Sequence, residues 1–190
     1  MREIGFALLS AGLAWNVLTD RLVVPGAVLG FTQEHRTARL HFAAYFLALL
    51  PSLWVCWVIA PFLGFLDGFK WILFLGVASL VIWGERAVSL KWFPEQGFTS
   101  HLSLLPANVA FFGTILLTLS EPEGFLSMTA KGLGATLGYG LILYLLATFR
   151  GRLKGAPIPK SLSGLPSVLI LLGLFSMVLM GLARAFRLYP

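Results

Sequence analysis

Charged side chains are scarce in this chain, and their scarcity excludes an ordinary soluble domain. Only 12% of the 190 residues are charged, whereas 58% are hydrophobic and the mean hydropathy is +0.87. Soluble domains carry about a quarter charged residues. The few charges are also clustered, with long uncharged runs between them. We therefore expect a polytopic membrane protein with one domain over residues 1–190.

Residues that carry common chemistry are also few. Cys56 is the single cysteine, so the chain cannot form an internal disulfide or a four-cysteine metal site. It lies within an uncharged run, where a packing role is expected. The three histidines, His35, His41 and His101, are scattered, and no nucleophile elbow or glycine-rich phosphate loop is present. The sequence therefore offers no catalytic residue and no metal site.

The uncharged runs have the length of membrane-spanning helices, which need about 20 apolar residues each. They predict six helices, at about 4–30, 40–65, 70–90, 99–119, 130–150 and 164–187. With six crossings, eight of the Lys and Arg residues lie on one side and five on the opposite side, which holds the termini. Because the positive side faces the cytoplasm, we expect both termini to be non-cytoplasmic. The net charge of +6 fits this bias and requires no nucleic-acid partner.

Polar residues interrupt the first predicted helix. Asn16, Asp20 and Arg21 lie near its middle, and Pro25-Gly26 follows one turn later. Pro25 cannot continue the hydrogen-bonded ladder, and a charge at mid-membrane must face protein, water or a partner. We interpret the segment as an interrupted membrane helix. The alternative is a short helix to Leu18 followed by a polar turn and an interfacial segment.

The fourth predicted helix carries a similar interruption. Pro106 removes a backbone donor, and Asn108 and Gly113 lower the helical preference of the same stretch. Asn108 either satisfies a carbonyl group freed by Pro106 or has a functional role, and the sequence favours neither. The polar residues at the two interruptions form a candidate midplane site: Asn16, Asp20, Arg21 and Asn108.

The third and sixth predicted helices resemble each other. Gly76, Ser79 and Gly84 recur as Gly173, Ser176 and Gly181, 97 residues later. Chance is the alternative, because small residues are common where membrane helices meet. A true repeat of three helices must enter the membrane from the opposite side, so it predicts two inverted halves, about 4–90 and 99–187. In such folds the functional site lies near the midplane, between discontinuous helices.

The order of these features resembles the small six-helix subunits of Rnf and Nqr redox pumps, the homologous A/E and D/E pairs. The likeness covers nearly the whole chain, although no single motif in it is diagnostic. The likeness is clearest in the segment Leu105-Pro-Ala-Asn108-Val-Ala-Phe-Phe-Gly113, and again from Gly138 to Leu153, with Pro157 and the last helix through Met180-Gly181. Asn16, Arg21 and Gly30 match the first broken helix of the family, and Glu85 matches an acidic residue that closes the third.

The resemblance implies an all-α fold of two inverted three-helix repeats in the bacterial cytoplasmic membrane, with helices 1 and 4 interrupted. It implies that the partner is a homologous membrane subunit in the opposite orientation, or that the chain forms a homodimer. In the family, each such subunit contributes one cysteine from each broken helix to a shared iron centre. Those positions are Gly26 and Val109 in this chain, and neither offers a side-chain ligand to iron. We therefore expect no iron and no other cofactor.

Three functions remain open after this comparison. The first is a non-catalytic subunit of an Rnf/Nqr-like assembly, which would not be an enzyme on its own. The second is a small membrane carrier that uses Asn16, Asp20, Arg21 and Asn108 at the helix breaks. The third, which has the least support, is an electron conductor with an unrecognised cofactor.

Overall fold

The computed structural model describes residues 2–14, 32, 34–66, 68–92, 96–120, 124–157 and 159–186. These residues are mostly helical, and no strand occurs among them, which confirms the all-α prediction for this part of the chain. The α-helices are α1 (Arg2–Leu9), α2 (His35–Ile59), α3 (Lys70–Trp92), α4 (Gln96–Leu104), α5 (Val109–Leu119), α6 (Phe125–Leu153) and α7 (Leu165–Ala185). A π-helical turn at Ser10–Ala14 follows α1, and short 3-10 turns occupy Ala60–Leu66, Leu105–Ala107 and Lys160–Leu162.

Four helical stretches are long and apolar enough to cross a bilayer: His35–Leu63, Lys70–Lys91, Phe125–Leu153 and Leu165–Ala185. Phe98–Leu104 and Val109–Leu119 form a fifth candidate, bent by 63° at the break between them. The predicted interruption of the fourth helix is thus present. The first predicted helix appears as a shorter apolar helix, Ile4–Leu13, and its predicted continuation to residue 30 lies outside the described residues.

Several helices extend beyond their predicted ends. Helix α2 begins at His35 rather than near 40, and α6 covers Phe125–Leu153 rather than about 130–150. The added turns carry Arg36, Arg39 and Arg152, whose apolar stems can lie along a membrane helix while their charged ends reach water. A hydropathy pattern ends at such charges, whereas the hydrogen-bonded backbone continues through them.

The centre of the molecule is the pair α2 and α6. His41 lies beside Tyr139, and Trp54 donates from Nε1 to the Thr129 hydroxyl at 3.2 Å. Residue numbers rise along α2 as they fall along α6, so the two helices are antiparallel. These two helices supply six of the eleven largest fully buried side chains of the described residues, namely Tyr45, Leu49, Leu53, Met128, Tyr139 and Ile142.

The other helices pack around this pair. Helix α1 and its π-helical turn pack on α6, α4 packs on α2, and α5 packs on both α2 and α6. Helix α3 contacts α2 and α4, and α7 contacts α6 and the π-helical turn. The start of the chain therefore lies against α6, and the bent segment formed by α4 and α5 lies against α2.

A close crossing of backbones fixes α1 on α6. A Cβ atom added at Gly134 would overlap the carbonyl oxygen of Leu8, and one added at Gly12 would lie 2.9 Å from the carbonyl oxygen of Gly134. Membrane helices use small residues at such crossings because apolar burial supplies no driving force between helices in lipid.

Candidate functional site

The break before α5 is organised by Asn108. The 3-10 turn Leu105–Ala107 contains Pro106 and is followed by Asn108, whose backbone is extended (φ −92°, ψ 103°). The Asn108 side-chain oxygen accepts a hydrogen bond from the Ala110 amide at 3.0 Å, so Asn108 is the N-cap of α5. One end of this side chain thus satisfies a helix amide that has no partner within the helix.

The other end of the Asn108 side chain joins α2 to α6. Its Nδ2 donates to the Tyr139 hydroxyl at 3.3 Å and lies 3.4 Å from His41 Nε2. His41 Nε2 and the Tyr139 hydroxyl are themselves 3.0 Å apart. Asn108 and His41 are fully buried and Tyr139 is 2% exposed, so this triangle of polar groups lies away from lipid.

A tyrosine pair extends the triangle towards the next turn of α5. The Tyr45 ring stacks on Tyr139 with centroids 4.1 Å apart and an interplanar angle of 14°. The Tyr45 hydroxyl pairs with Thr114 Oγ1 at 2.8 Å and donates to the Ala110 carbonyl at 3.2 Å. We call His41, Tyr45, Asn108, Thr114 and Tyr139 the break cluster. It fixes the start of α5 against both central helices.

Two histidines that are 60 residues apart in the sequence meet at this cluster. The ring of His101, on α4, lies edge-on to His41 with centroids 5.7 Å apart. His35 is separate and packs on Tyr144. Within the described ranges, no group of three His, Cys, Asp or Glu residues is arranged to hold a metal ion. The i, i+4 spacing of His41 and Tyr45, which places them on one face of α2, is the sequence signal for this cluster.

A second polar feature lies on α3. Both carboxylate oxygens of Glu85 are buried, as is the Ser89 hydroxyl one turn later, and none of these atoms forms a hydrogen bond with the part of the chain that is described. They line a cleft of about 350 Å³ whose other walls include Leu47 and Phe98. A bare carboxylate in hydrocarbon costs several kcal/mol, so this position suits a proton, a small cation or a partner's polar group.

The remaining sequence-predicted positions divide into three groups. Asn16, Asp20, Arg21 and Gly26 lie outside the described residues, so Asn108 is the one predicted midplane residue with an observed environment. Val109 is the first residue of α5 and is 59% exposed. Cys56 is fully buried, as expected of a packing residue, with Sγ 3.7 Å from the Phe74 carbonyl oxygen.

Comparison with known proteins identifies the chain's relatives. A family model described as "Rnf-Nqr subunit, membrane protein" matches residues 7–185. The chain belongs to the Rnf-Nqr family. This confirms the resemblance inferred from the interrupted helices, and the apolar spans make this Rnf-Nqr chain a multi-pass membrane protein.

Curated relatives match the Rnf-Nqr chain along nearly its whole length. A subunit of the ion-translocating oxidoreductase complex of Aromatoleum aromaticum is 31% identical, covering 96% of this chain and 97% of the relative. The subunit of the same name from Alkalilimnicola ehrlichii is 29% identical, with 99% and 100% covered. A subunit of the Na(+)-translocating ferredoxin:NAD(+) oxidoreductase complex of Acetobacterium woodii is 29% identical, with 93% and 94% covered.

Proposed function

We propose that this chain is a non-catalytic subunit of an Rnf-type redox-driven ion pump in a bacterial inner membrane. In this role it pairs with a homologous membrane subunit of opposite orientation and holds no iron itself. The observation that carries the proposal is the environment of Val109: the break cluster fixes the start of α5, yet the exposed residue at the family's ligand position is a valine.

The scaffold around the break has the features that a subunit interface requires. Asn108 is tied to α2 and α6, so the first turn of α5 is held in one orientation. Val109, the next residue, is 59% exposed and lies on a surface that a partner subunit can cover. The packing of α1 on α6 and of α4 on α2 supports an inverted repeat.

The donor set does not fit the family's iron centre. Iron–sulfur clusters are held by thiolates or, in some cases, imidazoles. Valine has no lone pair to offer, and the other ligand position, Gly26, has no side chain. Cys56 lies on α2 against α3, with its thiol directed at the Phe74 carbonyl, and supplies one thiol where two are needed.

Metal analysis of the purified chain tests the loss of iron. We expect less than stoichiometric iron and no visible absorption from a sulfur-bound cluster. One or two irons per chain, retained in a Cys56→Ala variant, would overturn this part of the proposal.

Cross-linking tests the predicted interface. In a Cys56→Ala background, Val109→Cys should form a thiol-specific cross-link to a homologous membrane subunit that copurifies with the chain. Met177→Cys is the matched control, because Met177 is 72% exposed but lies on α7, which packs on α6 and the π-helical turn. Equal cross-linking from both positions, or none from Val109→Cys, contradicts an interface at the break.

Glu85 favours a second candidate function, a carrier of protons or small cations. Its buried oxygens lack a hydrogen-bond partner among the described residues and face a cleft. The pure chain in liposomes should then carry protons or Na⁺ down a gradient, and Glu85→Gln should abolish the flux. Glu34→Gln, at an exposed carboxylate ahead of α2, is the control. Liposomes that show no flux above protein-free vesicles exclude the carrier.

A further inference from the structure

An open groove runs along the outer side of the central helix pair. Its volume is about 350 Å³, and its walls include Phe42 of α2 and Leu137 and Leu141 of α6. The floor is formed where the Phe42 ring lies on the backbone of Gly140, since an added Cβ there would overlap the ring. Both helices are candidate membrane spans, and most of the side chains that line the groove are apolar.

Cationic and aromatic side chains line one end of the groove. Arg39 forms part of its lining, and Arg36, one turn earlier on α2, lies on the same side of the helix. Both guanidinium groups belong to exposed residues, and within the described ranges no carboxylate or hydroxyl group pairs with Arg39. Tyr144 also lines the groove, is 56% exposed and packs on His35, as aromatic side chains do at the membrane–water boundary.

The antiparallel packing brings more positive charge to the same end. The last turn of α6 carries Arg150 and Arg152, beside the start of α2, and Arg150 donates to the Thr32 hydroxyl at 2.6 Å. That bond ties Arg150 to Thr32, whereas Arg152 is exposed. Glu34 is the one acidic residue of the described chain near this end, so cations outnumber anions there.

We propose that this groove binds an anionic phospholipid, with an acyl chain along Phe42, Leu137 and Leu141 and the phosphate against Arg36 and Arg39. Charge complementarity selects this occupant. A neutral lipid leaves the arginines without a counter-charge, and a purely apolar helix does the same. Basic clusters at the ends of membrane helices bind anionic headgroups through the same electrostatic attraction. The site is independent of the break cluster and of the proposed loss of iron.

Lipid titration of the purified full-length chain tests the proposal. Native mass spectrometry would measure the bound fraction of phosphatidylglycerol and of phosphatidylcholine over the same concentration range. We expect phosphatidylglycerol to bind more tightly, and Arg39→Gln to weaken its binding about fivefold, since each cation near the surface contributes about that factor. Lys91→Gln removes an exposed cation near the end of α3 that does not line the groove, so salt screens it from the bound phosphate and binding should change by less than about twofold.

A second variant separates the groove from the surface charge. Leu141→Trp fills the groove at a residue that is 43% exposed and leaves every cation in place. It should weaken phosphatidylglycerol binding at least as much as Arg39→Gln. Three results would contradict the proposed lipid site: equal binding of the two lipids, an effect of Lys91→Gln as large as that of Arg39→Gln, or undiminished phosphatidylglycerol binding by Leu141→Trp. Displacement of phosphatidylglycerol by millimolar inorganic phosphate would show that the arginines bind free anions, and would also contradict the proposal.

Discussion

At the scale of single residues, Asn108 has two roles that substitution can separate. Its oxygen caps α5, and its nitrogen joins Tyr139 and His41. Loss of an N-cap side chain costs about 0.5–2 kcal/mol, and an interhelical hydrogen bond in a membrane protein averages about 0.6 kcal/mol. We therefore expect Asn108→Ala to lower the free energy of unfolding in detergent by about 1–3 kcal/mol. Asn108→Ser, which can still cap, should lose less; equal losses would contradict the two-role assignment.

Tyr139 provides a second test of the break cluster. Tyr139→Phe keeps the ring stacked on Tyr45 but removes the hydroxyl that joins Asn108 and His41. We expect a loss of about 1 kcal/mol, measured by thermal or denaturant unfolding. Tyr144→Phe on the same helix is the matched control, because that tyrosine is 56% exposed. If both variants unfold like the native chain, the triangle contributes nothing measurable to stability.

At the scale of elements, the crossing of α1 over α6 depends on Gly134. A Cβ there meets backbone rather than a flexible side chain, so the helices must move apart. We expect Gly134→Ala to destabilise the fold by about 1–3 kcal/mol, the usual cost of overpacking. Gly151→Ala on the same helix meets nothing within 4 Å and should be neutral, or slightly stabilising because alanine favours a helix. The unfolding midpoints of the two variants provide the measurement. A lower midpoint for Gly151→Ala than for Gly134→Ala would contradict the close crossing of α1 and α6.

At the scale of the whole molecule, the orientation in the membrane rests on loop charge. The excess of Lys and Arg on the side of Lys154 predicts that this side is cytoplasmic. In a Cys56→Ala background, Gly124→Cys should react with an impermeant thiol reagent in intact cells, and Lys154→Cys should react only after lysis. Both positions are exposed, at opposite ends of α6. The reverse labelling pattern would place both termini in the cytoplasm.

Composition and local pattern alone determined the class of this protein and much of its element order. Uncharged runs define membrane spans because an unpaired charge or an unsatisfied backbone group is costly in hydrocarbon. Pro106 predicted the break before α5 because proline has no backbone donor. The order of features along nearly the whole chain, from Asn16 to Met180-Gly181, indicated the Rnf-Nqr family, and the family match confirmed it. These features depend on single residues or near neighbours, so a sequence displays them directly.

Only the tertiary structure decided which of these residues meet. His41, His101 and Tyr139 appear unrelated in the sequence, yet the antiparallel packing of α2 and α6 and the position of α4 bring them to Asn108. The same packing placed Arg39 at the mouth of an apolar groove and left the Glu85 oxygens without a hydrogen bond in the described part of the chain. Contacts between distant segments depend on how helices cross, and that is set by side-chain packing summed over whole faces. No local pattern records it, so the candidate site emerged only when the helices were assembled.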